Sequence, residues 1–174
     1  MSPSEALPLR RSNRETDAKL RRPRPTKSLL SRAIALLARR DHSRAELYRK
    51  LLRHIREGDD PAEIDRVLDE LSRNGLLSDE RFARAVARNR SQRFGDARIR
   101  YDLRKSGVAD DLTGAVLGAL SDSEVLRADR VRAKRFAGLP ASAAEHAKQA
   151  RFLQSRGFSL ESIHRVLHGR VDTQ

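Results

Sequence analysis

The sequence predicts an all-α protein: three tandem three-helix repeats forming an elongated array, preceded by a disordered basic tail. Three observations carry this. The apolar residues are mostly Ala and Leu, with five Phe, two Tyr and no Trp, a palette suited to helices packed through small aliphatic contacts and not to β-sandwiches. Helix start and stop signals alternate from Ser28 onward. The same pattern of glycines and aliphatic residues then recurs at intervals of 49 and 50 residues, from Gly58 to Gly107 to Gly157.

Residues 1–27 hold four of the six prolines and eight basic against three acidic residues. Too few apolar side chains are present to offset the entropy of ordering, so the segment is expected to be disordered. Both a phosphate-touching arm and a solubilising tail fit its composition.

The first helix is expected over about Ser28–Arg40, with Leu29, Leu30, Ala33, Ile34 and Leu37 at helical spacing. Ser43 and Glu46 have the spacing of a capping box, and Leu47, Leu51, Leu52 and Ile55 form the face behind it. Asp60-Pro61-Ala62-Glu63 reads as an N-cap, an N1 proline and an N3 glutamate. The apolar face of that helix is Ile64, Val67, Leu68 and Leu71, and Asn74-Gly75 supplies a left-handed stop.

Two further units repeat this. Val67-Leu68 follow Gly58 at nine and ten residues, as Val116-Leu117 follow Gly107 and Val166-Leu167 follow Gly157. Ser43, Gly95 and Glu145 each precede a leucine (Leu51, Leu103, Leu153) by eight. A helix leads each later unit, at about Asp79–Arg93 and about Ser123–Ala137. The expected divisions are 28–75, 76–122 and 123–174, and units of this period stack into arrays with a continuous surface. Gly114 and Gly118 are read as a site where two helices approach closely.

Lys and Arg total 37 against 24 Asp and Glu, a net charge of +13. Such a field draws polyanions, and the forked guanidinium suits phosphate or carboxylate oxygens. Solvated basic helix faces are the plainer alternative. Cysteine is absent, which removes disulfides and thiolate metal sites and fits a cytoplasmic location. No apolar run reaches membrane-spanning length, and no signal-peptide stretch opens the chain.

Chemistry is expected to be absent. There is no phosphate loop, no dinucleotide-binding glycine pattern and no nucleophile elbow, so neither an enzyme nor a cofactor is predicted. Glu161, His164 and His168 share helical spacing, yet they fall on the solvent side of a short terminal helix. His42, His54 and His146 are read as isolated. Tyr48 and Tyr101 are the aromatics expected to be exposed, whereas Phe82, Phe136 and Phe152 suit apolar faces. Asn and Gln, the usual base readers, are scarce on these helices, so recognition by charge and shape is favoured over sequence reading.

Residues 37–47 (LARRDHSRAEL) with Lys50-Leu51 resemble the opening signature of the RecX family of recombination regulators. Residues 74–83 (NGLLSDERFA) resemble its second motif, and Gly95, Leu103 and Gly107 match the spacing that follows. Residues 151–159 (RFLQSRGFS) are similar to its C-terminal motif. The family pattern often has Asn or Asp where Ser78 stands here, and serine caps a helix equally well. Together the motifs span about residues 29–169.

The resemblance implies a curved rod that binds the RecA–DNA filament and restrains its ATPase, strand exchange and growth, with no catalysis of its own. Single- or double-stranded DNA is expected as a weaker, non-specific partner, with no membrane involved and the protein a monomer. The other reading is a general DNA-binding or architectural protein. Leu47, Leu51, Phe82, Leu103, Phe152, Leu153 and Phe158 are expected in the core. The partner-contact candidates are Arg39, Arg40, Lys50, Arg88, Arg90, Arg93, Arg98, Arg104, Lys105, Arg135 and Arg156.

Overall fold

The computed structural model describes residues 28–55 and 60–171, so the expectations for the tail and for Gly58 lie outside the described residues. Among the described residues there are nine helices and no strand. The first set is α1 (Leu29–Leu37), α2 (Arg44–Leu52) and α3 (Ala62–Arg73). The second is α4 (Asp79–Ser91), α5 (Asp96–Lys105) and α6 (Asp110–Gly118), and the third is α7 (Glu124–Ala133), α8 (Ala143–Ser155) and α9 (Leu160–Leu167). The closest helix–helix packing falls within each set.

Local chemistry explains most boundaries. Ser28, Ser43, Ser78, Ser123, Ser142 and Ser159 each accept a hydrogen bond from the amide three residues on, the standard N-cap contact. Asp60 caps α3 through Ala62 N–H at 2.9 Å, although the helix itself begins one residue later than expected. Gly75, Gly107 and Gly157 have φ of 69°, 82° and 81°, the left-handed turn that ends a helix. The helix expected to run to Ala137 stops at Ala133 because two buried side chains hold the chain beyond it. Arg132 and Gln149 both donate to the Gly138 carbonyl, at 2.9 and 3.1 Å.

Three hydrophobic clusters follow the three sets. The first centres on Leu47, Leu51, Ile64, Leu68 and Leu71, the second on Phe82, Ile99, Leu103, Val116 and Leu117. The third centres on Val125, Leu153, Phe158, Ile163 and Val166. Of the residues expected in these cores, Phe152 is half-buried, and Ile34 and Leu52 are 45% and 46% exposed. Both sit at the margin of a helix whose buried stripe is narrow, with Ala33 alone buried on α1 and Leu47 and Leu51 on α2.

The middle helices α2, α5 and α8 join the sets end to end. Ser43, at the start of α2, donates through Oγ to the carbonyl of Ser106 at the end of α5, 2.5 Å away. Gly95, at the start of α5, donates its N–H to the carbonyl of Arg156 at the end of α8, at 3.0 Å. Each joint sets a positive helix N-terminus against a negative C-terminus, so the dipoles reinforce the contact. A carboxylate completes each one. Asp79, the first residue of α4, accepts from Arg44 N–H at 2.7 Å, and Glu124, the first residue of α7, accepts from Asp96 N–H at 2.9 Å. Glu124 also accepts from the Ser159 and Ser162 hydroxyls, which outweigh burial and hold its carboxyl below the usual range.

Close backbone approach occurs at these joints and not at Gly114 and Gly118. A side chain at Gly118 would meet open space, and one at Gly114 only the Arg100 guanidinium at 4.0 Å. A Cβ on Gly95 would instead lie 2.3 Å from the Gly157 carbonyl oxygen. Gly118 is exposed and Gly114 half-buried on α6, and neither meets another helix backbone.

Candidate polyanion-binding surface

The candidate cations divide according to whether the fold already supplies them with a carboxylate. Arg40 makes a forked pair with Glu46, at 2.6 and 3.1 Å, and Lys50 reaches the same carboxylate at 3.6 Å. Arg90 and Arg98 share Asp102, at 3.5 and 3.4 Å, and both guanidinium groups lie over the Phe94 ring. Arg104 chelates Asp110 through several bonds of 3.0–3.2 Å. These five candidates are internally compensated, which the sequence spacing did not show.

Glu46 also lies 3.0 Å from Nδ1 of His42, a buried histidine and so not the isolated one expected. Burial alone would raise the Glu46 carboxyl, but Arg40 and His42 overcome it and hold it at about 2. Burial lowers the His42 imidazole more than Glu46 raises it. With a carboxylate pKa depressed in the folded state, stability from this cluster is full above the unfolded value near 4.5 and is lost as pH falls toward 2. Unfolding followed from pH 5 to pH 2 is therefore expected to lose less stability in Glu46→Gln than in the parent. Equal acid sensitivity in both would remove Glu46 from the acid response.

Arg39, Arg88, Arg93, Lys105, Arg135 and Arg156 have no carboxylate within ion-pairing distance among the described residues. Three of them meet. Arg93 follows α4, Arg135 follows α7 and Arg156 caps α8; together with Gln92, Val131, Lys134 and Phe152 they line a cleft of about 410 Å³ between the second and third sets. The Arg156 guanidinium lies 4.6 Å over the Phe152 ring and donates to the Arg93 carbonyl at 3.4 Å. Among the described residues no acidic one lines this cleft. Lys134 was missed by sequence reading; its one signal was adjacency to Arg135.

The corresponding junction between the first and second sets differs. Its cleft, about 490 Å³, is lined by Arg44, Ala45, Tyr48, Arg49, Asp79, Arg104, Lys105 and Gly107. Asp79 lies within it, and two of its four cations are compensated, Arg44 by Asp65 and Asp69 and Arg104 by Asp110, while Arg49 and Lys105 have no ion-pair partner among the described residues. Arg39 and Arg88 line neither cleft. Of the two expected exposed aromatics, Tyr101 is 57% exposed beneath the Arg98 guanidinium, whereas Tyr48 packs against the first core.

One arginine serves the interior. Arg127 on α7 is 5% exposed and joins the second and third sets through Asp96 at 2.6 Å and the Phe94 and Asp122 carbonyls. The histidines near the C-terminus form a ring stack, His164 on His168 with centroids 4.0 Å apart, and His146 meets His168 edge-on at 5.6 Å. His146 is thus not isolated either. Among the described residues no group of histidines and carboxylates is disposed to hold a metal ion.

Comparison with known proteins places this architecture. The family model for the second three-helix domain of RecX matches residues 78–117, and that for the third matches residues 122–167. The regulatory protein RecX of Leptothrix cholodnii is 49% identical over 145 residues, covering 83% of this chain and 90% of the relative. That of Ralstonia nicotianae is 43% identical over 147 residues, 84% of this chain and 91% of the relative. The crystal structure of RecX from Lactobacillus salivarius superposes with a TM-score of 0.69 over 82% of this chain and 94% of that one; at 18% identity it bears on the fold alone. With two domain models matched in order and 49% identity to a relative over 145 residues, the chain belongs to the RecX family of regulatory proteins.

Proposed function

We propose that this protein binds the RecA–DNA filament and negatively modulates its ATPase, strand exchange and growth. The relatives are regulatory proteins by name. The observation that carries the reading from family to molecule is the carboxylate-free cationic cleft at the junction of the second and third sets. It suits a partner rich in negative charge, and the end-to-end joints hold it on a rigid body, so several weak contacts along the array add through effective concentration. The units of this reading are 28–75, 76–122 and 123–174, the protein acts in the cytoplasm, and it needs no cofactor or active site. In this reading the protein acts as a monomer.

The DNA-dependent ATPase of a cognate RecA tests it. Adding this protein below RecA stoichiometry is expected to depress the rate, and an unchanged rate at several-fold excess overturns the proposal. A general DNA-binding protein draws on the same cleft, since phosphate suits it whatever carries the phosphate. Equal affinity for bare single strands and for ATP-loaded filament, at matched salt, is the result that favours that second reading.

A further inference from the structure

We propose that the cleft between the second and third units binds the phosphate backbone of a nucleic-acid strand, with Arg93, Lys134, Arg135 and Arg156 as its ligands. This deepens the filament-binding reading by naming the strand, and not the protein around it, as what the cleft touches.

The argument starts from charge that the fold leaves unbalanced. Four cations from three helix ends, those of α4, α7 and α8, converge on about 410 Å³ of space that no acidic residue lines among the described residues. Like charges brought together cost free energy unless an anion joins them. The plainer account is that basic residues offset the negative C-terminal ends of their own helices. The end of α5 shows that this is not sufficient. Arg104 stands at the same kind of helix end and still pairs with Asp110, and Asp79 lines the cleft beside it. Arg44 and Arg104 have carboxylates of their own at the first cleft, whereas none of the four cations of the second has one among the described residues, and a ligand supplies that missing negative charge.

The make-up of the cleft favours a nucleic-acid backbone over an acidic protein segment. A protein segment that stays bound needs an apolar anchor at the centre of its contact. Here the apolar lining is Val131 and a Phe152 ring already covered by Arg156. A phosphate backbone needs no such anchor, because release of condensed counterions drives its binding. Guanidinium forks at three of the four ligands and the neutral Gln92 amide supply donors that phosphate oxygens accept. The walls are also held in place. Gly95 N–H on the Arg156 carbonyl, Ala97 N–H on the Gly157 carbonyl and the Arg127–Asp96 pair fix the two units against each other. Donors fixed before binding lose little freedom on binding.

The test uses the full chain without RecA. Anisotropy of a labelled twenty-residue oligothymidylate is titrated across a salt series for the parent and two double variants of equal charge change. Lys134→Ala with Arg135→Ala is expected to weaken binding about tenfold and to lower the salt slope by roughly 1.4, about 0.7 for each lost phosphate contact on a single strand. Arg40→Ala with Arg104→Ala, which removes compensated cations, is expected to leave the slope near the parent value. Equal effects of the two double variants overturn the proposal, as does displacement of the oligonucleotide by polyglutamate of equal charge as readily as by unlabelled strand. Unfolding midpoints of both variants establish that each is folded. The RecA ATPase assay separates this inference from the broader one. If the parent binds the strand through the cleft but leaves the ATPase unchanged, the cleft assignment stands and the regulatory reading falls.

Discussion

Replacing Gly95 with alanine is expected to cost more than about 3 kcal/mol of stability and to weaken the joint between the second and third units. The reason is space and not backbone freedom. Gly95 has φ −79° and ψ 172°, which any residue adopts. Its Cβ would lie 2.3 Å from the Gly157 carbonyl oxygen and 2.4 Å from the backbone nitrogen and Cα of Phe158. Neither side can retreat without breaking the Gly95–Arg156 and Ala97–Gly157 hydrogen bonds. At the first junction the equivalent position is Ser43, whose hydroxyl fits and donates to Ser106, so the two joints are not equally tight. Gly75→Ala is the comparison. There a Cβ meets nothing within 4 Å, and the cost is that of a left-handed φ alone, about 1–2 kcal/mol. Urea unfolding of both variants gives the difference. A Gly95→Ala protein no less stable than Gly75→Ala would show that the joint yields, whereas a split transition would show the units separating.

Leu103→Ala is expected to destabilise the protein by roughly 2–5 kcal/mol, and Leu51→Ala by a similar amount. Both side chains are fully buried, Leu51 in the first cluster and Leu103 in the second among Phe82, Ile99, Val116 and Leu117. Truncation removes the transfer free energy of the lost atoms and leaves a cavity that a tightly joined unit closes only in part. Because the two residues lie in separate clusters, the double variant is expected to lose the sum of the two within about 0.5 kcal/mol. Leu52→Ala, one residue from Leu51 but 46% exposed, is expected to cost much less. Chemical denaturation of the four proteins decides the matter. A loss below about 1 kcal/mol at Leu103 would mean that the second cluster does not carry its unit.

The compensation of charge bears directly on which residues meet a partner. Arg40 and Arg104 look equivalent to Arg39 and Lys105 in sequence, since they are neighbours at the ends of helices. In the structure Arg40 is held by Glu46 and Arg104 by Asp110, so half of each pair is committed to the fold. Lys134, passed over in sequence, lines the cationic cleft with no ion-pair partner among the described residues.

The sequence by itself determined the helices, their grouping in threes and most of the core positions. Those signals act within one or two turns. Ser43 caps through an amide three residues on, Gly107 and Gly157 reverse the chain at one residue, and Leu47 and Leu51 share a face because they are one turn apart. Tertiary structure alone decided which charges remain free and how the units meet. Asp79 and Glu124 read as ordinary acids in a first helical turn, yet each caps the middle helix of the preceding unit, 35 and 28 residues earlier. Arg127, which no spacing in the sequence singles out, is buried between two units. Gly95 reads as a repeat marker and is the point where two backbones touch. A Coulomb or hydrogen-bond partner is chosen by distance in space, and distance across a junction of helix ends is set only once the units have packed.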